Sequence, residues 1–366
     1  MPNSHPNPGK VTRLITRKNA LEQSRIDEHV DDLIAAPGEI ILRLERFSLT
    51  TNNITYAAFG DSMNYWDFFP TGQEDWGHVP VWGFADVVAS TVEGIAVGER
   101  FYGYFPIASH LRMQPERVTD RGFYDSSAHR RQLTSAYNQY TRCNWDPYYS
   151  AATEDLQILL KPLFLTSSML ADFLQDNDFF GATRLVFSSA SSKTAFATAV
   201  CLEGAAVQRV ALTSRGNTAF VAALGCYEQT IAYDELDHLA ADQPTLYVDF
   251  SSDLALRDRV HQHFGEQLLY SCCAGSAQST DPAQLTAITG PQPQLFFAPI
   301  QLRKRNADWG PQQVSAHIGE GLVRFYEQIT PILDVVVSHG YASAEELITR
   351  LYRGQVPADE GHIVTL

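Results

Sequence analysis

Basic residues are scarce in this chain of 366 residues: 27 Lys and Arg stand against 42 Asp and Glu, a formal net charge of −15. Nucleic acid and anionic membranes both reward basic patches, so neither is expected as a partner. The one basic cluster, in "LRKRNADWG" at 302–310, is too short to change that. Cysteine is little used. Cys143, Cys201, Cys226, Cys272 and Cys273 are an odd set with no C-x-x-C and no histidine at finger-like spacing, which argues against a disulfide framework and a structural zinc lobe. No run of roughly 18 uncharged apolar residues occurs, and the opening "MPNSHPNPGKVTR" lacks an apolar core, so a cytoplasmic protein without leader or membrane span is expected.

What is present suffices for folding. The chain is 45% hydrophobic and 19% charged, and single cores rarely grow far past ~250 residues, so two domains are expected. Apolar and polar residues alternate in the manner of strands at 38–49, 79–90 and 99–106, with turns at Pro37-Gly38, Gly60-Asp61 and Gly98-Glu99, and helical patterns are weak there. The aromatic-rich segment 121–150 has no readable periodicity. From Arg184 onward the rhythm changes to short apolar strands separated by helical runs: "RLVFSS", "RVALTS", "QTIAY", "TLYVDF", "QLLYSCC" and "QLFFAP". Six such strands predict a doubly wound parallel sheet in an α/β protein. The tail adds a helix over 312–330, a strand at "LDVVVSHG", a helix at "ASAEELITRLYRG" and a last strand at "GHIVTL".

Glycine is missing where a nucleotide site would want it. "RLVFSSASSKTAFATAV" at 184–200 reads as strand, polar loop and helix, and a helix N-terminus offers unpaired amides to a phosphate. The ending "SKT" is that of a phosphate-binding P-loop, but the glycines that let amides wrap the phosphates are absent. The other reading is a dinucleotide loop with Ser189, Ser192 and Ala195 standing where the three glycines would lie. Ser191, Lys193 and Thr194 complete the candidate phosphate contacts. The second strand ends in "LTSRGN". NAD sites usually place an acid there. Here Ser214 and Arg215 offer a hydroxyl and a guanidinium to a 2′-phosphate, so NADP(H) is the expected cofactor, against the alternative of a solvated surface turn. Thr213, Asn217, Tyr233 and Lys304 are the remaining candidate cofactor residues, and Thr166, Ser167 and Ser168 are expected to open a helix.

The order of these segments resembles the medium-chain dehydrogenase/reductase superfamily, its quinone and enoyl reductase branch. "GEIILRLERFSLTTNNITYAAFGD", "VPVWGFADVVAS…VGERFYGY", "TSRGNTAFVAALGCYEQTIAYDEL" and the tail "EELITRLYRGQVPADEGHIVTL" carry that resemblance. More narrowly, "RFSLTTNNITYAAFGDSMNYWDFFP", "YGYFPIASHLRM", "SSASSKTAFATA" and "ADWGP" are similar to the DUF2855 group. The resemblance implies a GroES-like β-rich catalytic domain over 1–164, a Rossmann NADP-binding domain over 165–300, a return to the first domain over 301–366, and a homodimer.

It also implies chemistry. Thr50, Trp82 and Gly83 occupy the positions of the zinc ligands in metal-dependent members, and none of them suits zinc, so no metal is expected. Hydride transfer to an activated C=C or C=O of a small-molecule substrate then needs another group to stabilise the developing oxyanion. Tyr56 is the expected proton donor, with Tyr65 in reserve. Asn52 and Asn53 would orient substrate or ribose, and His110 would relay a proton. Phe68, Phe69, Tyr148 and Tyr149 would line an apolar cleft. The alternatives are a carbonyl reductase or alcohol dehydrogenase, and a catalytically silent NADP(H)-binding sensor or scaffold.

Overall fold

The computed structural model describes residues 9–274 and 288–366; the first eight residues, on which part of the leader reading rests, lie outside that set. The alternation at 38–49 becomes strand β3 (Ile40–Leu49), whose Ile40, Leu42, Leu44, Phe47 and Leu49 are buried in one apolar cluster. β3 pairs antiparallel with β5 (Pro80–Ser90), and β5 with β6 (Arg100–Pro106). The sheet extends through β10 (Gln139–Arg142), β9 (Gly122–Asp125) and β8 (Pro115–Thr119) on one side. On the other side it takes in β18 (Glu360–Thr365) and β17 (Asp334–His339), and β7 (His110–Met113) also pairs with β3. A second sheet joins β1 (Gly9–Arg17), β2 (Ala20–Asp31) and β4 (Trp76–Gly77).

Two features of this unit depart from the sequence reading. The segment after β3 is a helix, α1 (Thr51–Ala58), because Thr50 and Asn53 build a capping box that outweighs the β-branched and asparagine residues around it. The unassigned segment 121–150 sends side chains into the core. Its Tyr140 is fully buried, donates to the Tyr104 carbonyl at 2.5 Å and accepts from the buried Arg130 at 2.9 Å. Gly103 makes room for it, since a Cβ there would lie 2.3 Å from the Tyr140 ring.

The chain divides into two compact units, residues 1–159 with 334–366, and residues 160–333. The boundary falls within helix α2 (Glu154–Asp176), and the second unit continues to 333 rather than ending at 300. Thr166, Ser167 and Ser168 are therefore mid-helix and cap nothing; Ser167 instead donates to the carbonyls of Leu163 and Thr194. The stretch Ala151–Asp176 is long and apolar enough to cross a membrane, and 61% of its apolar window is buried inside the fold.

The second unit holds six parallel strands: β11 (Arg184–Phe187), β12 (Gln208–Thr213), β13 (Gln229–Ala232), β14 (Thr245–Asp249), β15 (Leu268–Cys273) and β16 (Gln294–Leu295). Their order is β13-β12-β11-β14-β15-β16, the doubly wound arrangement expected from the six apolar runs. Apolar clusters on its two faces are built from Leu185, Phe187, Ala211 and Leu246, and from Val186, Val210, Leu212 and Tyr247. The alternation reflects strands covered on both sides. β16 is shorter than "QLFFAP" suggested, because Pro299 starts helix α6 (Ala298–Asp308) in the first-turn position where its missing N–H costs nothing. The remaining helices of this unit are α3 (Lys193–Cys201), α4 (Thr218–Ala223), α5 (Leu254–Phe264) and α7 (Pro311–Ile329), and α8 (Gly340–Tyr352) returns to the first unit, burying Ala344, Leu347, Ile348 and Leu351 in its core.

Candidate functional site

The loop between β11 and α3 sits at the carboxyl end of the central strand of the parallel sheet, the position where doubly wound folds bind nucleotides. Ser189 has φ +47°, the left-handed region usually reserved for glycine, so the turn demanded by the missing glycine is made by serine. Ser192 caps α3 through its hydroxyl, which accepts from the Ala195 amide at 3.3 Å. Ala195 is fully buried, with only a methyl between helix and sheet. The Ser189 amide donates to the Tyr233 hydroxyl at 3.0 Å, and the Ala190 amide to the Leu212 carbonyl at 3.1 Å. The amides of Ser191 and Thr194 have no acceptor among the described residues, which leaves two donors at the start of α3 for an anion. Lys193 opens the helix between them.

At the end of β12 the Thr213 hydroxyl is buried without a hydrogen-bond partner among the described residues. Ser214 and Arg215 follow at the surface. Arg215 is 64% exposed and pairs with Asp234 at 2.7 Å and Glu235 at 3.1 Å. Asn217 donates to the Ser191 hydroxyl at 3.1 Å, tying the end of the second strand to the loop. Tyr233 and Asn217 thus each hold one end of the Ser189–Ser191 turn by a hydrogen bond. An orphaned buried hydroxyl, two free amides and an exposed guanidinium fit a phosphorylated dinucleotide, which would displace the two carboxylates from Arg215. Lys304 stands apart: its ammonium, on α6, is held by Asp176 and Asp308 at 2.9 Å each.

One support of this loop has no counterpart in the sequence reading. Asp249, at the end of β14 and fully enclosed, accepts from the Ser188 hydroxyl at 2.8 Å, from Ser251 and from the Ser251 and Ser252 amides, and pairs with the buried Arg257 at 2.7 Å. The Arg257 charge and these donors hold the carboxyl below its usual range despite its burial. An aspartate ending an apolar strand, followed by "FSSD", is the readable signal.

In the first unit, Tyr56, Tyr65, Phe68, Phe69 and Tyr104 are buried in a single aromatic cluster, with Trp82 and Tyr137 packed against it. Tyr56 lies 4.8 Å from Tyr65 and 5.5 Å from Tyr104 between ring centres. The Trp82 indole N–H donates to the Tyr56 oxygen at 3.3 Å, and the hydroxyls of Tyr65 and Tyr137 are 3.2 Å apart. Burial pushes the Tyr56 hydroxyl up to about 12, and raises Tyr65, Tyr104 and Tyr137 as well. The Tyr104 hydroxyl is buried with no partner. Tyr137 comes from the segment that showed no pattern, and its part in the cluster was invisible in the sequence.

Asn53 and His110 fall elsewhere. The Asn53 carboxamide is spent at both ends: its oxygen accepts from the Thr50 amide at 2.7 Å and its nitrogen donates to the Pro80 carbonyl at 2.8 Å. It holds α1 to β5 and offers nothing to a ligand. Asn52 places its amide on the Thr50 hydroxyl. His110, on β7, contacts the Ser109 hydroxyl at 3.1 Å, and desolvation lowers its pKa. Tyr149 donates to Glu154 at 2.7 Å and packs on Phe84, outside the cluster. Among the described residues no three histidine, cysteine or acidic side chains converge as a metal site.

A GroES-like β unit followed by a Rossmann sheet, with two strands and a helix returning to the first unit, is the fold of the medium-chain dehydrogenase/reductases. Within it, residues 47–357 match the family described as "Protein of unknown function (DUF2855)", and the chain belongs to that family. Among solved structures, CurA from Vibrio vulnificus in complex with NADPH is similar at a TM-score of 0.62 and 12% identity, over 97% of this chain and 98% of that one. The yhdH oxidoreductase from Salmonella enterica in complex with NADP is similar at 0.53 and 13%, over 98% and 100%. A mutant enoyl thioester reductase from Candida tropicalis is similar at 0.55 and 11%, over 98% and 100%. No curated protein matches the sequence.

Proposed function

We propose that the chain is an NADP(H)-dependent reductase that delivers hydride to an activated C=C or C=O of a small molecule, an enone, quinone or enoyl thioester, without zinc. The observation that carries the cofactor is the β11–α3 loop, in which Ser189 takes a glycine conformation and leaves the Ser191 and Thr194 amides free beside Thr213 and Arg215. Fold neighbours holding NADPH or NADP support it. Thr50, Trp82 and Gly83, standing where metal-dependent relatives place ligands, support the metal-free reading.

The bound dinucleotide supplies the hydride. Tyr56 supplies the proton that completes reduction: with its pKa at about 12 its hydroxyl is fully protonated at neutral pH. The Trp82 N–H on its oxygen stabilises the phenolate that forms, and the proton is recovered from water. The carboxyl of Asp249 and the hydroxyl of Tyr233 hold the loop that would receive the pyrophosphate.

The test is NADPH oxidation by the purified chain over a panel of enones, quinones and enoyl thioesters, with a Tyr56→Phe variant alongside. Removing a general acid costs on the order of 10²–10⁴ in rate, so Tyr56→Phe should lose turnover to that extent and keep its NADPH affinity. Unchanged turnover in the variant would remove Tyr56 from the mechanism. A carbonyl reductase would show its activity on aldehydes instead, and a silent binding protein would show none.

A further inference from the structure

A cavity of about 230 Å³ lies within the first unit, bounded by the β1–β2 hairpin, β7 and the Phe69-Pro70 turn. Its polar lining is Arg13, Arg112, His29, His78, His110 and His129 against one carboxylate, Asp31. Arg112 is spent on Asp31, Asp32 and Glu39. Arg13 is not: Nε and Nη2 both hold Asp27 at 2.7 Å, while Nη1 has no partner among the described residues, although the side chain is only 14% exposed.

Two of the imidazoles are held on backbone carbonyls. His78 is buried, with Nδ1 3.2 Å from the Leu14 carbonyl. A carbonyl only accepts, so Nδ1 carries the proton and Nε2 presents a lone pair. Burial, reinforced by the Arg13 charge, holds this histidine down to about 3, so it stays neutral. Nε2 of His129 likewise donates to the Phe68 carbonyl at 3.2 Å. The cavity therefore combines one remaining Arg13 N–H donor, the His78 imidazole acceptor and an apolar wall of Val11, Leu33, Ile41, Phe69 and Leu111.

We propose that this cavity binds a small hydroxylated organic anion, its carboxylate on Arg13 and its hydroxyl donating to His78. A cavity of ~150 Å³ holds benzene, so this one takes an aromatic ring with two substituents. Of the aromatic cluster Phe69 lines it, while Tyr56, Tyr65, Trp82 and Tyr104 do not, so its occupancy is read apart from hydride transfer.

The test is calorimetric titration of the full chain with 4-hydroxybenzoate, benzoate and 4-hydroxybenzamide, each repeated on His29→Trp, which fills the exposed rim of the cavity, and on Arg13→Gln. The account expects saturable binding of 4-hydroxybenzoate, weakened about tenfold or more when either the hydroxyl or the charge is removed. His29→Trp should abolish it, and Arg13→Gln should reduce 4-hydroxybenzoate to the affinity of the amide. Absence of saturable binding, equal affinity for all three compounds, or unchanged binding in His29→Trp would overturn the proposal. Should Arg13→Gln fail to fold, His29→Trp decides alone.

Discussion

His78 shows how a single buried side chain carries information about the whole first unit. Its neutral ring is held at about 3 in the fold, against roughly 6.5 in an unfolded chain. The unfolded state therefore binds more protons between those values, and stability must fall as pH drops. The contribution is complete above about pH 6.5, declines on acidification, and disappears below about 3. Chemical denaturation at successive pH values from 7 to 5 should show wild type losing stability with a slope approaching ~1.4 kcal/mol per pH unit from this group, and His78→Gln lacking that part of the slope. Identical slopes would show that the ring is protonated in the fold. At this scale the sequence was legible by residue type and poorly by role. Tyr56 and Tyr65 were singled out as proton donor and reserve, and the structure buries them together. Asn53 looked equally suited to a ligand, yet Thr50 three residues before it is a capping-box spacing, and the cap consumes it. A polar side chain beside a functional segment is claimed first by the nearest unsatisfied backbone.

The β11–α3 element was legible because its signal is local: apolar strand, small polar loop, apolar helix. What was not legible is its brace. Asp249 lies 61 residues beyond Ser188, and nothing in the spacing shows that parallel pairing of β11 with β14 brings them together. The brace makes a prediction of its own. Asp249→Asn takes from the buried Arg257 its carboxylate, and breaking a buried pair on one side costs ~3–5 kcal/mol. The denaturation midpoint of the variant should fall accordingly, and a variant as stable as wild type would show that Arg257 is satisfied without it. The β1–β2 hairpin was missed for a different reason. Its outer strand alternates between half-buried and exposed residues and is strongly charged, so hydrophobic periodicity barely registers, although the antiparallel register is continuous from Gly9 opposite Asp31 to Thr16 opposite Ser24. Helix α2 hid its continuity behind "TSS", since serine and threonine mid-helix return their hydroxyls to the preceding turn, as Ser167 does.

For the whole molecule, the parallel sheet was the most readable part, because strands buried on both faces appear as uninterrupted apolar runs at regular intervals. The limits of the two units were least readable: α2, α6 and α7 have ordinary amphipathic patterns that say which face is buried but not against which unit. The central claim concerns the second unit, that its serine-built loop and the Arg215 guanidinium receive NADP(H). It is tested most directly by calorimetric titration of the full chain with NADPH and NADH, in parallel with Arg215→Ala. A charge-assisted contact is worth about 1.5–3 kcal/mol, so NADPH should bind, NADH should bind at least tenfold more weakly, and Arg215→Ala should bring NADPH down to the level of NADH. Equal binding of both nucleotides, unchanged by Arg215→Ala, would contradict the assignment of Arg215 to the 2′-phosphate, and binding of neither would contradict the reductase itself.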